Sequence, residues 1–263
     1  MSPITEELFS GIYANDIYPV LKRELFGGDE PGRFVASTLR SFGIHTPSKL
    51  LDLCCGDFTD GIYLSGYYNI DAVDGSPEFV RIAKERIINL GESDTMVSPN
   101  KIHLGNVVTD LITNKIGREY EAAYCISAMP DIDDPRAFFK NVHNALMDNG
   151  LFIFDFRNKD AMTAGTFERS QDFSFGTRHV KETISPSRDK RKVKYTFTGL
   201  TRNSVGDTTL TKNTTSNFYG IFDVEALLSG LFHIESAVVA WDLPPRSPKW
   251  KTDKDIVIIA RKK

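Results

Sequence analysis

LLDLCCGDFTDGIYL, Leu50 to Leu64, decides the fold. LLDLC (Leu50–Cys54) is a short run, apolar apart from Asp52, of the kind that forms a strand covered on both faces. Cys54-Cys55-Gly56-Asp57-Phe58 then turns tightly, and Gly56 supplies the unusual dihedrals the turn needs. The helix expected next presents free backbone N–H groups toward the turn. Two vicinal cysteines beside a glycine also raise the question of a metal or redox centre. Only Cys125 joins them, there is no CxxC, and the five histidines form no tight group. Zinc needs four ligands, or three and a water, at motif-like spacing. The reading that remains is small, buried, reduced thiols.

Outward from this stretch the chain alternates. Residues 4–26 read as a helical opening with apolar Leu8, Ile12, Ile17, Leu21 and Leu25, followed by a GGDEPG break (Gly27–Gly32) and a helix near Phe34–Phe42. After LLDLC come a second strand, Ile70–Val73, and a helix, Ser76–Leu90, with Ser76 as N-cap and Pro77 at its first position. Strands follow at Lys101–Gly105, Tyr120–Ser127 and Gly150–Phe156. A helix at Asp134–Gly150, stopped by Asn149-Gly150, precedes the last of these. Strands and helices in this alternation form βαβ units around a parallel sheet.

Between Phe173 and Phe218 the pattern changes to short Thr-, Val-, Phe- and Tyr-rich runs separated by SRDKRK (Ser187–Lys192) and RNSVGD (Arg202–Asp207). Three antiparallel strands and two hairpin turns are expected there. The basic SRDKRK run reads as a solvated turn, with phosphate binding as the alternative. A helix, Asp223–Gly230, with Asp223 as N-cap, and two strands, FHIESAVVAW and DIVIIARK, close the chain around the Pro-rich loop Leu243–Lys249. The expected fold is α/β. It has a Rossmann-like, seven-stranded, mostly parallel sheet with helices on both faces, plus a three-stranded antiparallel insertion after strand five. The expected division is a helical cap at 1–45, a core at 46–170 and 220–263, and the insertion at 171–219.

The 263 residues carry a net charge of −3, with 41% hydrophobic and 25% charged residues. This balance supplies no electrostatic ground for a nucleic-acid or anionic-membrane partner. The N-terminus has no basic-then-apolar signal pattern, and no apolar run approaches the ~20 residues that span a bilayer. A cytoplasmic location is expected.

In an open α/β sheet, ligands bind at the carboxyl ends of the strands near the point where strand order reverses. Asp74, at the end of strand two and about 20 residues beyond the glycine turn, suits a ribose diol; helix capping is its alternative role. Gly105-Asn106-Val107 after strand three offers a side-chain amide for an adenine amine and an apolar face for its ring. A single glycine in place of GxGxxG supports no pyrophosphate cradle. The residues together describe a nucleoside pocket.

At these residues the sequence resembles the class I S-adenosylmethionine-dependent methyltransferases. LLDLCCGDF stands where that family has LDLGCGTG or LDLACGTG, AVDGSPEFVRIAKER resembles its VDxSxxMLxxAxxR segment, and HLGN its third-strand segment. The inserted strands followed by FYGIFDVEALLSGLFHIESAVVAWD resemble small-molecule members such as sugar N,N-dimethyltransferases and glycine-N-methyltransferase-like enzymes.

The resemblance implies S-adenosyl-L-methionine as cofactor. Asp52 would organise the turn and reach the cofactor ammonium. Cys54 and Gly56 would line the methionine moiety, and Asp74, with Gly75 and Ser76, would hold the ribose. Gly105, Asn106 and Val107 would surround the adenine, and Cys125 and Ile126 would touch the cofactor. Tyr13 would cap the carboxylate, with core packing as its alternative. The chain departs from the family at Cys54 for the first motif glycine or alanine, at Phe58 for the second glycine, at Asp57 for Thr or Ser, and at Asn106 for Asp. Phe58 must therefore point away from the cofactor or against the next helix.

After strand four stands SAMP (Ser127–Pro130) rather than the Asn/Asp-Pro-Pro-aromatic motif of nucleic-base and amide methyltransferases, so a small-molecule O or N acceptor is expected. Met129, Arg157, Tyr195 and Tyr219 are candidates for holding it. His179, by its titration range, and Asp155 are candidates for a base, with structural roles as the alternative. Methyl transfer from an activated sulfonium relies mainly on positioning and desolvation. The competing readings are a non-catalytic binding protein of the same fold and an NAD(P)-linked oxidoreductase, the latter weakened by the missing GxGxxG. The inserted strands offer an antiparallel edge for a homodimer contact.

Overall fold

The computed structural model describes residues 13–24, 28–90, 101–109, 117–161, 169–175, 178–186, 192–203, 206–242, 244–250 and 253–263, with backbone only across 169–216. The chain enters through one turn of π-helix, Tyr13–Ile17, which runs into α1 (Tyr18–Glu24). The first part of the expected helical opening lies outside the described residues. α2 (Glu30–Ser41) buries Phe34, Val35 and Leu39. Then follow β1 (Lys49–Leu53), α3 (Thr59–Ser65), β2 (Asn69–Asp74), α4 (Pro77–Leu90), β3 (Lys101–Leu104), β4 (Tyr120–Cys125), α5 (Pro135–Ala145) and β5 (Leu146–Arg157). A four-stranded sheet, β6 (Arg169–Phe175), β7 (Arg178–Pro186), β8 (Lys192–Asn203) and β9 (Gly206–Asn217), comes before α6 (Ile221–Leu228), β10 (Phe232–Val239) and β11 (Asp255–Lys262).

The large sheet has the order β10-β11-β5-β4-β1-β2-β3. β1 pairs in parallel with both β2 and β4, so strand order reverses at β1. β11 pairs antiparallel with β5 and β10. The seven strands, mostly parallel and flanked by helices, match the expected architecture. Two cores explain why the strands are apolar along both faces. Leu51, Leu53, Ala123, Phe152 and Phe154 pack under α5 and α6, whereas Leu50, Ala122, Tyr124 and Ile153 pack under α2, α3 and α4.

Three expectations are corrected. The antiparallel insertion has four strands, all paired in sequence, and the missed one is β6. RSQDFSF has polar residues at five of seven positions and an uneven alternation, which hides its strand character. The helix before β5 ends at Ala145. Asn149, at φ 63°, with Gly150 lies inside the β5 run, where Tyr120↔Leu146 jumps to Ala122↔Leu151. The Asn-Gly pair marks this bulge because Asn tolerates the left-handed region. The N-cap of α6 is Gly220, and Asp223 sits three positions on, where its carboxylate accepts from the Gly220 N–H at 2.8 Å.

Two helix starts follow their residues closely. The Ser76 hydroxyl accepts from Phe79 N–H at 3.3 Å ahead of α4, and Asp134 accepts from Ala137 N–H at 3.1 Å ahead of α5.

The turn after β1 carries an unusual fit. Phe58 precedes α3 in the left-handed region, at φ 62°, and is fully buried. That conformation costs a non-glycine residue about 1–2 kcal/mol. Burying a phenylalanine contributes about 1.5–3 kcal/mol, enough to offset it. The ring lies on the backbone of Gly61, one turn into α3, where an added Cβ would come 2.0 Å from a ring carbon. Gly61→Ala is therefore expected to cost about 1–3 kcal/mol, read as a lower urea midpoint. In a Phe58→Gly background the same change should cost almost nothing.

Candidate active site

The carboxyl ends of β1, β2, β4 and β5 converge beneath α1. The turn after β1 closes on Gly56, at φ 54°, whose N–H donates to Asp74 Oδ2 at 2.9 Å. Asp74 Oδ1 accepts from Ser76 N–H at 2.8 Å, and the Gly75 amide also turns toward the carboxylate. Burial outweighs these amides and raises the Asp74 carboxyl to about 6. Asp74 thus ties the end of β2 to the turn after β1 while remaining mostly ionised at neutral pH.

Tyr18 lies over this turn. A Cβ on Gly56 would stand 3.0 Å from the Tyr18 hydroxyl, so glycine is required by contact as well as by dihedral. The Tyr18 ring packs edge-on to Phe79 of α4 at 4.8 Å and lies 6.1 Å from Tyr13. Tyr13 is itself buried. The wider π turn sets these tyrosines, five positions apart, on the same side of the segment. An α-helical reading of the sequence separates them, so Tyr18 escaped it.

α1 is fastened by a buried ion pair, Lys22 Nζ to Asp60 Oδ2 at 2.6 Å, and Asp60 Oδ1 also accepts from Gly32 N–H at 3.1 Å. Asp57 stands where the resemblance places Thr or Ser. It pairs with Arg86 at 2.9 Å and accepts from the Thr59 hydroxyl at 2.8 Å. These partners join residues tens of positions apart, beyond the reach of local pattern.

Asp52 faces Tyr124 across β1 and β4. Burial, reinforced by the Asp60 carboxylate, holds its carboxyl well above the usual range. The buried Tyr124 hydroxyl has no well-formed hydrogen bond of its own. All three cysteines are free thiols. A hydrogen bond with Cys54, together with burial, keeps the Cys125 thiol protonated, and burial does the same for Cys55. Among the described residues no three His, Cys, Asp or Glu side chains gather as a metal site.

Beyond β3, Gly105 N–H donates to Asp74 O at 2.9 Å, and Asn106 Oδ1 accepts from Val108 N–H at 2.8 Å. The Asn106 carbonyl keeps its second lone pair. Val107 is buried, and the Asn141 side chain from α5 donates to its carbonyl at 2.9 Å. Past β4, Ile126 packs against the α2–α4 core and Ser127 turns left-handed, at φ 58°. Its N–H donates to Asp155 Oδ1 at 2.5 Å. Burial raises the Asp155 carboxyl to about 7.

Among the candidate acceptor residues, Met129 is fully buried in the core, and Arg157 lies 3.8 Å from Asp255. Tyr219 is buried with an unpartnered hydroxyl and bridges to Asn158. His179 pairs with Ser174 and Leu200, and Tyr195 with Ile184 and Thr214. The side chains of these last two lie outside the described residues.

The fold built from this order of strands is the methyltransferase variant of the Rossmann-like architecture. Three solved structures that share it cover nearly the whole chain. One is an S-adenosylmethionine-dependent methyltransferase from Clostridium acetobutylicum, at 16% identity over 94% of this chain and 98% of that one, with a TM-score of 0.79. A second is the CcbJ methyltransferase from Streptomyces caelestis, at 13% identity over 95% and 97%, with a TM-score of 0.73. A third is CalS10 from Micromonospora echinaspora, an amino pentose methyltransferase solved with SAM bound, at 14% identity over 94% and 97%, with a TM-score of 0.70. No protein-family model matches the sequence, and no curated protein matches it.

Two variants test the local chemistry. Cys54 also sits in the left-handed region, at φ 57°. Cys54→Gly removes about 1–2 kcal/mol of backbone strain and gives back about 0.4–1 kcal/mol through the freer unfolded chain. The change also removes the hydrogen bond with Cys125, about 0.5–1.5 kcal/mol, so the melting temperature is expected to stay nearly unchanged. Asp155 has a folded-state value above its unfolded one, so its stability penalty is absent at pH 4 and grows as pH rises toward 7. Asp155→Asn should therefore stabilise the protein at pH 8, by an amount on the order of a few kcal/mol, and leave it unchanged near pH 4. Thermal unfolding at the two pH values reads the difference.

Proposed function

We propose that this protein is an S-adenosylmethionine-dependent methyltransferase acting on an O or N atom of a small-molecule acceptor. The observation that carries the reading is the Gly56 turn locked to Asp74 at the point where strand order reverses. Such a turn brings backbone close to a bound nucleoside and sets an acidic side chain beside its ribose. The residues fit the cofactor in kind. Asp74 suits the ribose diol, Asn106 and Val107 an adenine edge and face, and Gly56 with Cys54 the methionine stem. Buried Asp52 and half-buried Tyr18 offer a carboxyl and a hydroxyl to the amino-acid end. CalS10, solved with SAM bound, has the same fold. CalS10 is an amino pentose methyltransferase and KedS8, from Streptoalloteichus, a sugar N-methyltransferase, which supports a small-molecule acceptor.

The bound cofactor supplies a methyl group already activated on sulfonium. The chain holds the nucleoside with the ends of β2 and β3. With the nucleoside there, the residues at the ends of β1, β4 and β5 would surround the rest of the cofactor. α1 and its tyrosines cover the turn, and the inserted sheet would close the acceptor side. Water exclusion and alignment then supply most of the rate. Phe58, the departure that argued for a non-catalytic protein, packs on Gly61, which supports the catalytic reading.

Calorimetric titration tests the reading. S-adenosylhomocysteine should bind in the micromolar range and NAD should not. Asp74→Ala should weaken S-adenosylhomocysteine at least tenfold, because it removes both the ribose partner and the tie to Gly56. Absence of S-adenosylhomocysteine binding by the wild-type chain would overturn it.

A further inference from the structure

Five buried carboxylates stand near the carboxyl edge of the sheet: Asp52, Asp57, Asp60, Asp74 and Asp155. Their charges are met in different ways. Asp57 has Arg86 and Asp60 has Lys22. Asp74 has the amides of Gly56 and Ser76. Asp52 has the Tyr124 hydroxyl beside it. Asp155 is held only by amides, that of Ser127 and its own, and among the described residues no cation lies within ion-pair distance of it.

Asp155 also stands apart in position. It is on β5, separated from β1 by β4, so it flanks the reactive end of the pocket on the side away from Asp74. The turn after β4 adopts a left-handed residue at Ser127 and directs that amide onto one carboxylate oxygen. The carboxylate is thereby oriented, and its other oxygen takes no part in that bond.

We propose that Asp155 receives the acceptor's proton, and that the acceptor is an amine arriving as an ammonium ion. The proposal rests on the methyl-transfer reading above. An unpaired buried carboxylate favours a cationic ligand over a neutral one. The proton passes from the ammonium nitrogen to Asp155, which leaves a lone pair on nitrogen and a neutral carboxyl. The nitrogen then bonds the methyl carbon as the carbon–sulfur bond breaks, with that bonding pair remaining on sulfur. The product amine carries the positive charge, and Asp155 returns its proton to water.

Charged groups around Asp155 set its readiness. Burial and Asp255 of β11 favour the neutral carboxyl, whereas Lys22 of α1 and the Ser127 amide favour the carboxylate. The balance near 7 lies about three pH units below an ordinary ammonium, near 10. It lies almost nine below a hydroxyl, taken as about 15.7 like water. Asp155 is thus matched to amines and mismatched to alcohols.

The test is calorimetry on the full chain saturated with S-adenosylhomocysteine. The probes are glucosamine against glucose and 2-aminoethanol against ethylene glycol. At least one amine should bind ten times more tightly than its alcohol, and its affinity should rise up to about tenfold from pH 6 to pH 8 as Asp155 ionises. Asp155→Asn keeps an oxygen for the Ser127 amide. It should erase the amine preference and the pH dependence while S-adenosylhomocysteine affinity stays within twofold. Asp155→Glu should restore part of the preference. Equal binding of amine and alcohol, binding of neither, or a preference that survives in Asp155→Asn overturns the proposal. Failure of S-adenosylhomocysteine to bind the wild-type chain would instead sink the underlying reading. The wild-type comparison and its pH dependence decide the matter even if a variant does not fold.

Discussion

The hydrogen bond from Gly56 N–H to Asp74 joins the two strand ends that define the pocket. Strand pairing alone aligns β1 and β2 along their length and leaves the loops beyond them free. Asp74 removes that freedom by accepting amides from both sides of the gap, and Gly105 extends the tie to the loop after β3 through the Asp74 carbonyl. A carboxylate is suited to this because it accepts several bonds at once and is strengthened by being charged. The turn after β1, the start of α4 and the loop after β3 that carries Asn106 all take their positions from Asp74.

Three of the six left-handed non-glycine residues among the described residues stand at the same edge. Cys54, Phe58 and Ser127 all occupy the left-handed region without being glycine. Each is offset by something specific. Cys54 packs on the core and shares a hydrogen bond with Cys125, Phe58 buries its ring, and Ser127 delivers its amide to Asp155. Strained residues concentrated around a pocket are a mark of a functional site held by its surroundings.

Much of this was legible in the sequence because its signals are local. Apolar runs such as LLDLC and IDAV announced β1 and β2, and Ser76-Pro77 announced the start of α4. What escaped depended on distance or on a change of period. The π turn that sets Tyr18 beside Tyr13 breaks the 3.6-residue rhythm on which helix reading depends. Lys22–Asp60 and Asp57–Arg86 join residues far apart in the chain. The polar strand β6 lacks the alternation that revealed β7 to β9. Asn149-Gly150, an ordinary helix stop by its local chemistry, became a bulge because β5 pairs with β4 from Leu146 onward.

The contact between Phe58 and Gly61 gives this chain an evolutionary lock. With a phenylalanine in the turn, the need for smallness falls one helical turn downstream, on Gly61, and the two positions are not free to vary alone. A glycine at 58 would release 61 to drift. A chain that keeps the phenylalanine cannot lose the glycine. Substitutions at the two positions are therefore ordered: bulk can enter at 61 only after it has left 58.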